Sequence, residues 1–339
     1  MKFDYIIGNP PYQDDSQRNN GFAAPVYHAF IDESYKIADV VELIHPARFL
    51  FNAGSTPKEW NQKMLNDNHL KILFYEKDSS IIFDRVDIKG GIAISLRNSK
   101  KDYGAIETFT AYSELNGILE KIKDAKIIPL SDSAYVTGKF DFDNLFADFP
   151  DTENMLKERR LATNVLEILD NIVFTAKCPE DGKEYVHVYG RIGSARASRW
   201  ILRKYIDAPK NIDSYKVFLP KVNGIGQFGE TFVDPFIGQP AETNTHTFMS
   251  IGNVRTRYEG ESLLKYIKTK YSRALLGILK ITQHNSNECW KYVPLQDFTE
   301  NSDIDWTKSI PEIDQQLYKK YGLDNEEIAF IESHVKEMA

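Results

Sequence analysis

Two consecutive prolines near the start of the chain constrain its fold more than any other feature. Residues 3–7 are bulky and partly β-branched, which predicts a short buried strand that ends at Gly8. Pro10 and Pro11 cannot donate backbone hydrogen bonds and have a fixed φ, so the chain must leave the sheet in a rigid, extended turn. In open α/β sheets, ligands bind just beyond the carboxyl ends of strands. The turn is therefore a candidate binding site.

The side chains of this turn suit a planar amine. The Asn9 amide oxygen and a proline carbonyl are two hydrogen-bond acceptors held side by side, and an exocyclic amino group has two donors to match them. Accepting both bonds draws the amino nitrogen toward tetrahedral geometry and localises its lone pair for attack. Tyr12 offers a flat ring on which a base taken out of a duplex can stack. These residues predict a site that holds an amino group as a nucleophile.

Asn9-Pro10-Pro11-Tyr12 after a hydrophobic strand resembles the catalytic signature of amino-group methyltransferases that use S-adenosylmethionine. The resemblance is closest to the N6-adenine DNA methyltransferases of the gamma class. It implies that these four residues are catalytic and that Asn9 also contacts the cofactor. The plainer alternative is a proline turn that simply follows a strand.

The hundred residues after the turn alternate between helical and strand-like patterns. Residues 26–38 and 58–66 have helical spacing, whereas 40–44, 70–75 and 91–96 read as strands. This alternation predicts an α/β domain with a mostly parallel sheet and helix crossovers. The resemblance implies a partial Rossmann-like methyltransferase sheet, of which this chain holds the second half. The polar run between the turn and the first helix is expected to be a loop.

The resemblance extends to two aromatic residues. The segment from 26 to 50 is similar to the helix–strand–proline unit that follows the motif in this family, where the aromatic matching Phe30 packs against the adenine of S-adenosylmethionine. Phe83 resembles the position that contacts the flipped target adenine, although the family often has proline where Asp84 stands. The alternative for each ring is a plain core residue.

The sequence departs from the family in its cofactor-binding half. A complete enzyme carries a Gly-rich strand–turn and an acidic residue before the proline motif. This chain begins directly before the motif's strand, so we expect that half to be missing or supplied by a second chain. The one downstream candidate, 223–229, follows a predicted strand at 215–219 but is not followed by a helix. We therefore interpret it as a loop rather than an anion site.

Charge is distributed unevenly along the chain. The formal net charge is −7, yet residues 183–291 hold 17 Lys and Arg against 9 Asp and Glu. Such a block is compatible with a local phosphate-binding face, and arginine also forms bidentate contacts to guanine. A solvated charged surface is the alternative. The candidate DNA-binding residues in this block are Arg191, Arg196, Arg199, Lys221, Lys268, Arg273, Gln283, His284 and Asn285.

The length of 339 residues favours more than one domain. We expect a partial methyltransferase catalytic domain at 1–135, a linker at 136–160, an α+β target-recognition domain at 161–300 and a helical tail at 301–339. The run 242–298 is similar to the target-recognition region of Type IIG restriction–modification enzymes. The residues that read individual bases do not follow from the pattern.

Together these features predict site-specific adenine-N6 methylation of double-stranded DNA, with S-adenosylmethionine as the methyl donor and no metal. Two cysteines, no signal peptide and no long apolar run favour the cytoplasm. The alternatives are a DNA-recognition subunit or truncated remnant without catalysis, and a glutamine-amide methyltransferase, which the long segment beyond residue 161 disfavours. Pro150-Asp151 lacks the second half of a nuclease motif, so cleavage is not predicted.

Overall fold

The computed structural model describes residues 3–19, 22–52, 55–83, 88, 90–280 and 282–338. The chain divides into two compact units, Met1–Asn116 and Gly117–Ala339, and each has its own buried core. Both cysteines are free thiols, Cys178 exposed and Cys289 buried. Within the described ranges, no helix has the length and apolar character needed to cross a membrane.

The first unit is built around one four-stranded sheet. Its strands are β1 (Phe3–Gly8), β2 (Gln13–Asn19), β3 (Phe22–Pro25), β4 (Ala38–Pro46), β5 (Leu70–Glu76) and β6 (Ile92–Asn98), and its helices are α1 (Tyr27–Ile37) and α2 (Lys58–Leu65). Short 3-10 helices follow β4 and β5. The run after the proline turn, predicted as a loop, forms the antiparallel pair β2–β3.

The sheet has the strand order β1-β4-β6-β5. β1 and β4 are parallel, whereas β6 lies between β4 and β5 and is antiparallel to both. Three strands thus point the same way, but only one of the three pairings is parallel, so the predicted mostly parallel sheet is seen in part. The carboxyl ends of β1, β4 and β5 lie at the same end of the sheet. The assignment as half of a Rossmann-like sheet stays a prediction.

The strand β1 is less buried than the sequence predicts. Phe3, Tyr5 and Ile7 share one face of β1 and are 47%, 49% and 73% exposed, while Ile6 packs against the core. No described element buries that face of β1, and β1 is also an edge strand whose neighbour in the described sheet is β4 alone. An apolar strand pattern does not tell whether anything covers the strand.

The second unit contains shorter sheets and the longer helices. Its strands are β7 (Ala134–Tyr135), β8 (Lys139–Phe140), β9 (Tyr185–Ile192), β10 (Ala195–Leu202), β11 (Ile206–Asp207), β12 (Tyr215–Pro220), β13 (Phe236–Gly238), β14 (Glu242–Asn244) and β15 (Phe248–Val254). Its helices are α3 (Ser113–Asp124), which contains the boundary, α4 (Phe142–Asp148), α5 (Val165–Ile168), α6 (Arg257–Lys268), α7 (Lys270–Leu279), α8 (Ile310–Lys320) and α9 (Asn325–His334). The sheets are β13-β12-β15-β7, β10-β9-β14 and β11-β8.

The segment 136–160, predicted as a linker, belongs to the core of the second unit. Phe140 and Leu145 are fully buried in one cluster with Val186 and Val188 of β9. β8 also pairs with β11. The acidic, aromatic-rich run 140–150 suggested a linker that packs partly against a neighbour, but Phe140 is buried in the core and the other rings of the run, Phe142, Phe146 and Phe149, pack against that core. The structural boundary consequently falls at residue 116 rather than near 135, and the functional domain assignments stay predictions.

Two runs of the sequence that each read as one element, an alternating polar and apolar strand at 243–251 and an amphipathic helix at 261–279, are divided in the structure. The alternating run 243–251 contributes β14, which is parallel to β9, and β15, which pairs with β12 in a different sheet. The helical run 261–279 contributes α6 and α7, which are separated at Thr269. Thr269 has ψ of 150°, and its hydroxyl donates to the Tyr266 carbonyl and accepts from the Ser272 N–H. The two helices predicted in the tail are confirmed as α8 and α9.

The start of α7 is capped by a buried carboxylate from α8. Asp314 accepts hydrogen bonds from the N–H groups of Lys270 (3.0 Å) and Tyr271 (2.9 Å), which have no partner within the helix. Burial raises the pKa of Asp314 from 3.8 to about 6, although the two backbone hydrogen bonds act in the opposite direction. The contact joins the tail to α7, so the tail is part of the second unit.

Replacing Asp314 with alanine is expected to lower the free energy of unfolding by about 2 kcal/mol, because two buried N–H groups lose their acceptor. Urea unfolding at neutral pH measures this loss, with Glu300→Ala, an exposed carboxylate, as the control. The folded pKa exceeds the ordinary value, so this group's contribution to stability falls as the pH rises from about 4 to about 6. Wild-type stability in Asp314→Ala would contradict the capping role.

Candidate active site

The proline motif lies at the end of the sheet where three strands terminate. Gly8 ends β1 opposite Leu43 of β4, and the ends of β4 and β5 both pair with Ile92 of β6. The segments that follow β1, β4 and β5 therefore emerge at the same end. Ligands bind at this position in open α/β sheets. The location predicted for the turn is confirmed by this register.

The first half of the turn leaves its acceptors available. Asn9 is exposed, and no described residue donates a hydrogen bond to the Pro10 carbonyl. The carbonyl of Tyr12, by contrast, accepts the Val26 N–H at 3.1 Å. The turn is thus tied to the start of α1 by its last residue, while the Asn9 side chain is exposed and the Pro10 carbonyl accepts no hydrogen bond from the described residues. The role of these acceptors in holding an amino group stays a prediction.

Tyr12 contributes a ring rather than a proton-transfer group. Its side chain is half-buried against the core of the first unit, and its buried hydroxyl makes no hydrogen bond of normal geometry with the described residues. Burial raises the pKa of Tyr12 to about 12, and the Asn9 side chain nearby lowers it. The phenol is therefore neutral at physiological pH and unsuited to act as a base. Stacking on a base stays the prediction for Tyr12.

Phe30 is not a core residue. It is 46% exposed on α1, whereas the same helix buries Tyr27 and Ile31. Since the Val26 N–H is bonded to Tyr12, the ring of Phe30 lies about one helical turn beyond the tether to the motif. The core alternative for Phe30 is excluded by its exposure. Its role in stacking on a cofactor adenine stays a prediction.

Phe83 emerges at the same end of the sheet as the motif, after β5. Its side chain is half-buried, and its N–H donates to the Ser79 carbonyl at 2.9 Å, which continues the 3-10 helix Ser79–Ile81 by one residue. Asp84, where the family often has proline, lies outside the described residues. The topology therefore brings Phe83 and the motif to one end without showing a contact between them.

One buried histidine of the first unit lies in an aromatic cluster of the core. His45, near the end of β4, has Nε2 at 2.7 Å from the Ser95 hydroxyl and stacks in parallel with Tyr27. Burial lowers the pKa of His45 to about 4, so its ring is neutral at physiological pH. Tyr27 and Phe49 also pack against Trp60 of α2. This aromatic cluster packs α1 against the turn after β4. His45 belongs to that core packing, and we assign it no catalytic role.

The Glu230 side chain occupies the loop formed by the Gly-rich segment 223–229. The Glu230 carboxylate accepts the Ile225 N–H at 3.0 Å, and the Lys280 ammonium contacts the same carboxylate. A Cβ at Gly224 would overlap Glu230, and one at Gly226 would meet the backbone of Thr282 at 2.6 Å. The glycines are therefore explained by internal packing, and the loop N–H of Ile225 faces a carboxylate. This supports the interpretation as a loop rather than an anion site.

The arginines predicted to bind DNA separate into two groups. Arg191 and Arg196 are exposed and lie opposite each other on β9 and β10, so they share one face of the hairpin. Arg196 also donates to two backbone carbonyls, at Val233 and Asp234. Arg199 points to the other face, where both of its donors bind the carboxylate of Asp170 at 2.7 and 3.2 Å. Its charge is already neutralised.

Two of the predicted DNA contacts are wrong because the residues are buried. Arg273 is 2% exposed and donates to the backbone carbonyls of Lys268, Gly229, Glu230 and Lys336. Burial lowers the pKa of Arg273 to about 10. Asn285 is also fully buried, and its amide donates to the Pro220 carbonyl at 2.9 Å. Both hold the fold together, whereas Lys268 is half-buried and stays a candidate.

The remaining candidates are brought together by the fold, with two residues that the sequence did not indicate. The Asn223 N–H donates to the Gln283 carbonyl, and His284 pairs with Val222, which places 283–284 beside the end of β12. Lys221 at that position contacts Nε2 of His246, and Nη1 of Arg160 lies 3.3 Å from the same nitrogen. Arg160 and His246 belong to no motif and are far from Lys221 in sequence, so only the fold reveals them.

The structure thus contains, at the carboxyl end of a strand, an exposed amide and a carbonyl that accepts no hydrogen bond from the described residues, with an aromatic ring on the helix that follows. Residues 1–83, which include all three, match the family model described as Eco57I restriction-modification methylase. This part of the chain is therefore similar to the methylase component of restriction–modification systems. Among the described residues, no group of three or more His, Cys, Asp or Glu is placed to hold a metal.

Comparison with individual proteins gives partial matches. An uncharacterized adenine-specific methylase of Mycoplasma pneumoniae (strain M129) is 30% identical over 95 residues, which are 27% of this chain and 22% of that protein. The type IIG restriction endonuclease BpuSI covers 93% of this chain and 48% of its own at 10% identity, and the Type IIL restriction-modification enzyme MmeI, solved with DNA, covers 98% and 56% at 11% identity. Both structures have a TM-score of 0.35. The chain spans about half or less of each protein it matches.

Proposed function

We propose that this chain is the catalytic and target-recognition part of an adenine-N6 DNA methyltransferase from a restriction–modification system, of the gamma class. The match of residues 1–83 to a restriction-modification methylase carries the proposal. The adenine-specific name of the Mycoplasma pneumoniae relative supports adenine as the target base. The same proposal includes two further points. The first unit is the second half of a Rossmann-like methyltransferase sheet, and the second unit binds DNA.

The turn acts by holding the target amino group. The Asn9 side-chain oxygen and the Pro10 carbonyl accept its two hydrogens, which aims the nitrogen lone pair along the line of attack. The ring of Tyr12 stacks on the extruded base, and Phe83 packs against it from the segment after β5. S-adenosylmethionine, when bound, supplies the methyl group. Pro11 keeps the turn rigid, so the acceptors are oriented before the base arrives.

The chain offers part of a cofactor site. The exposed ring of Phe30 fits an adenine, and Asn9 lies at the same end of the sheet. The Gly-rich segment 223–229 does not fit a phosphate or carboxylate group, because Glu230 already occupies it. The uncovered apolar face of β1 supports a further polypeptide packing there. We therefore assign the rest of the cofactor pocket to polypeptide outside this sequence.

The test is the production of N6-methyladenine in cells. The chain, with the genes that flank it, is expressed in a methylation-deficient bacterial host, and the host genome is then sequenced by a method that detects modified bases. Methylated adenines within one short sequence motif are expected, and the motif identifies the target. DNA binding without methylation would favour the non-catalytic recognition subunit. Methylated glutamine in a host protein would favour the amide methyltransferase.

The isolated chain is expected to show no measurable heat of binding for S-adenosylmethionine in the micromolar range, because it holds only part of the pocket. Isothermal titration of the purified chain, alone and with duplex DNA, measures this directly. Micromolar binding by the chain alone would overturn the assignment of the pocket to outside polypeptide. In that case Phe30→Ala distinguishes a site beside the motif, which the variant would weaken, from one elsewhere.

A further inference from the structure

We propose that Arg160, Lys221, His246 and His284 form a phosphate-binding site that contacts the backbone of duplex DNA. These four residues are called the cationic cluster below. The inference rests on the proposed function in one respect, namely that the chain binds DNA. It adds Arg160 and His246 to the DNA-contacting residues and gives Lys221 a defined partner group.

The cationic cluster is held by backbone hydrogen bonds among four separate segments. The Lys221 N–H donates to the Thr247 carbonyl at 3.0 Å, and the Lys221 carbonyl accepts the Asn285 N–H at 2.7 Å. The His246 N–H donates to the Leu161 carbonyl at 2.7 Å, which places His246 beside Arg160. The end of β12, the β14–β15 connection and the segment after α7 therefore have a fixed arrangement. A site on so constrained a backbone is preorganised for its ligand.

Charge within the cluster is not balanced. Lys221 Nζ and Arg160 Nη1 both face Nε2 of His246, which must accept from them and so belongs to a neutral imidazole. Burial, Lys221, Arg160 and His284 each lower the pKa of His246, while Glu158 raises it. Glu158 pairs with Arg160 at 2.9 Å, and its carboxylate opposes the cations that act on His246. Two full positive charges thus face one carboxylate.

Lys221 differs from several other cations of the second unit, each of which faces a carboxylate of its own, as Arg160 faces Glu158. The pairs are Arg199–Asp170, Arg203–Asp213, Lys204–Asp148 and Lys280–Glu230. Lys221 instead contacts a histidine, and burial followed by the nearby Arg160 lowers the pKa of its ammonium. An anion placed between Lys221 and Arg160 relieves this repulsion. Phosphate oxygens are strong acceptors for both types of donor.

The surface beside the cluster favours a nucleic acid over a free phosphate ion. Ile225 is 83% exposed at the tip of the loop that follows Lys221. The tip is fixed rather than loose, since Glu230 binds its N–H and Gly226 packs on Thr282. An exposed aliphatic side chain four residues along the chain from Lys221 suits the sugars and base steps of a duplex, where apolar side chains insert. A free phosphate ion is too small to offer the Ile225 side chain an apolar surface.

The test is the salt dependence of DNA binding by the full chain. Fluorescence anisotropy with a labelled mixed-sequence duplex gives the affinity of the wild type, Arg160→Ala, Lys221→Gln and the double variant over a series of salt concentrations. Each single variant is expected to bind about tenfold more weakly. The slope of log affinity against log salt is expected to fall by about 0.9 for each lost phosphate contact. Lys204→Gln is the matched control, since it removes one half-exposed charge that is already paired with Asp148.

The outcomes separate this inference from the proposed function. Wild-type affinity and slope in the double variant would overturn the cluster and leave DNA binding intact. An equal loss in Lys204→Gln and Lys221→Gln would also overturn it, because net charge alone would explain the effect. A wild-type chain that binds no duplex at the lowest salt contradicts the proposed function and the cluster together. Thermal unfolding of each variant confirms that the fold is retained.

Discussion

Replacing Asn9 with alanine is expected to abolish adenine methylation, with a rate about 10²- to 10³-fold below that of the wild type. The variant removes one of the two acceptors that hold the target amino group, and the Pro10 carbonyl alone cannot fix the nitrogen lone pair in line. Asn9 is exposed, so its loss leaves no cavity in the core. The effect is therefore expected on the reaction and not on the stability of the fold.

The methylated-genome assay measures this loss, and Asn9→Asp is the matched control. Aspartate keeps an acceptor oxygen at the same position, so partial methylation at the same sequence motif is expected. Thermal unfolding should give the same midpoint for both variants and the wild type. If Asn9→Ala methylates the genome as the wild type does, the catalytic assignment of the turn is wrong, whatever the chain does otherwise.

The features that sequence predicts well are those fixed by neighbouring residues. Two prolines after a strand must end it, whatever else surrounds them, and the structure ends β1 at Gly8. The tail helices follow from local spacing and local capping, as at Ser309 with Glu312 and at Asp324 with Glu327. No distant contact is needed for either. These elements lie where the sequence predicts them.

Burial depends on distant neighbours, and it is where prediction from sequence fails. The bulky, partly β-branched residues of β1 predict a buried strand, but Phe3, Tyr5 and Ile7 are exposed on one face of it. The reverse holds for Arg273, a charged residue that four backbone carbonyls hold inside the second unit. A count of charges along the basic block cannot distinguish Arg273 from Arg191, because only the fold supplies the partners.

The candidate sites also combine features that the sequence predicts with features that only the fold reveals. The motif and the end of β1 before it follow from a stretch of a few residues, so the sequence predicts them. The cationic cluster joins Arg160, Lys221, His246 and His284 across four segments, through backbone pairing that local patterns do not encode. The β14–β15 connection that places His246 exists because one alternating run is shared between two sheets. The spacing of residues in the sequence predicts neither the assembly of the cluster nor the division of this run between two sheets.

Replacing Lys280 with alanine is expected to lower the free energy of unfolding by about 3–5 kcal/mol, the largest effect on stability among these predictions. The Lys280 ammonium is almost fully buried against Glu230 and also donates to the Asn223 carbonyl. Without it, the Glu230 carboxylate is left inside the unit with the Ile225 N–H as its main support. An unpaired buried charge costs far more than the loss of an exposed pair.

The pH dependence follows from Glu230. Burial alone would raise its pKa, but Lys280 and the Ile225 N–H outweigh burial and hold the pKa below the ordinary 4.5. A lowered folded pKa means that the stabilisation is present above about 4.5 and is lost as the pH falls through the folded value. Lys280→Ala is therefore expected to differ most from the wild type near neutral pH. The difference should shrink in acid, where Glu230 is protonated.

Denaturant unfolding at several pH values measures these effects against two further variants. The double variant Glu230→Gln with Lys280→Met removes both charges and is expected to lose less stability than Lys280→Ala, because no charge is left unpaired. Lys204→Ala breaks an exposed pair and is expected to change stability by at most about 1 kcal/mol. If Lys280→Ala is as stable as the wild type, Glu230 does not fill the loop as described. The N–H groups of 224–229 are then free to bind an anion, and this segment becomes the first place to seek the rest of the cofactor pocket.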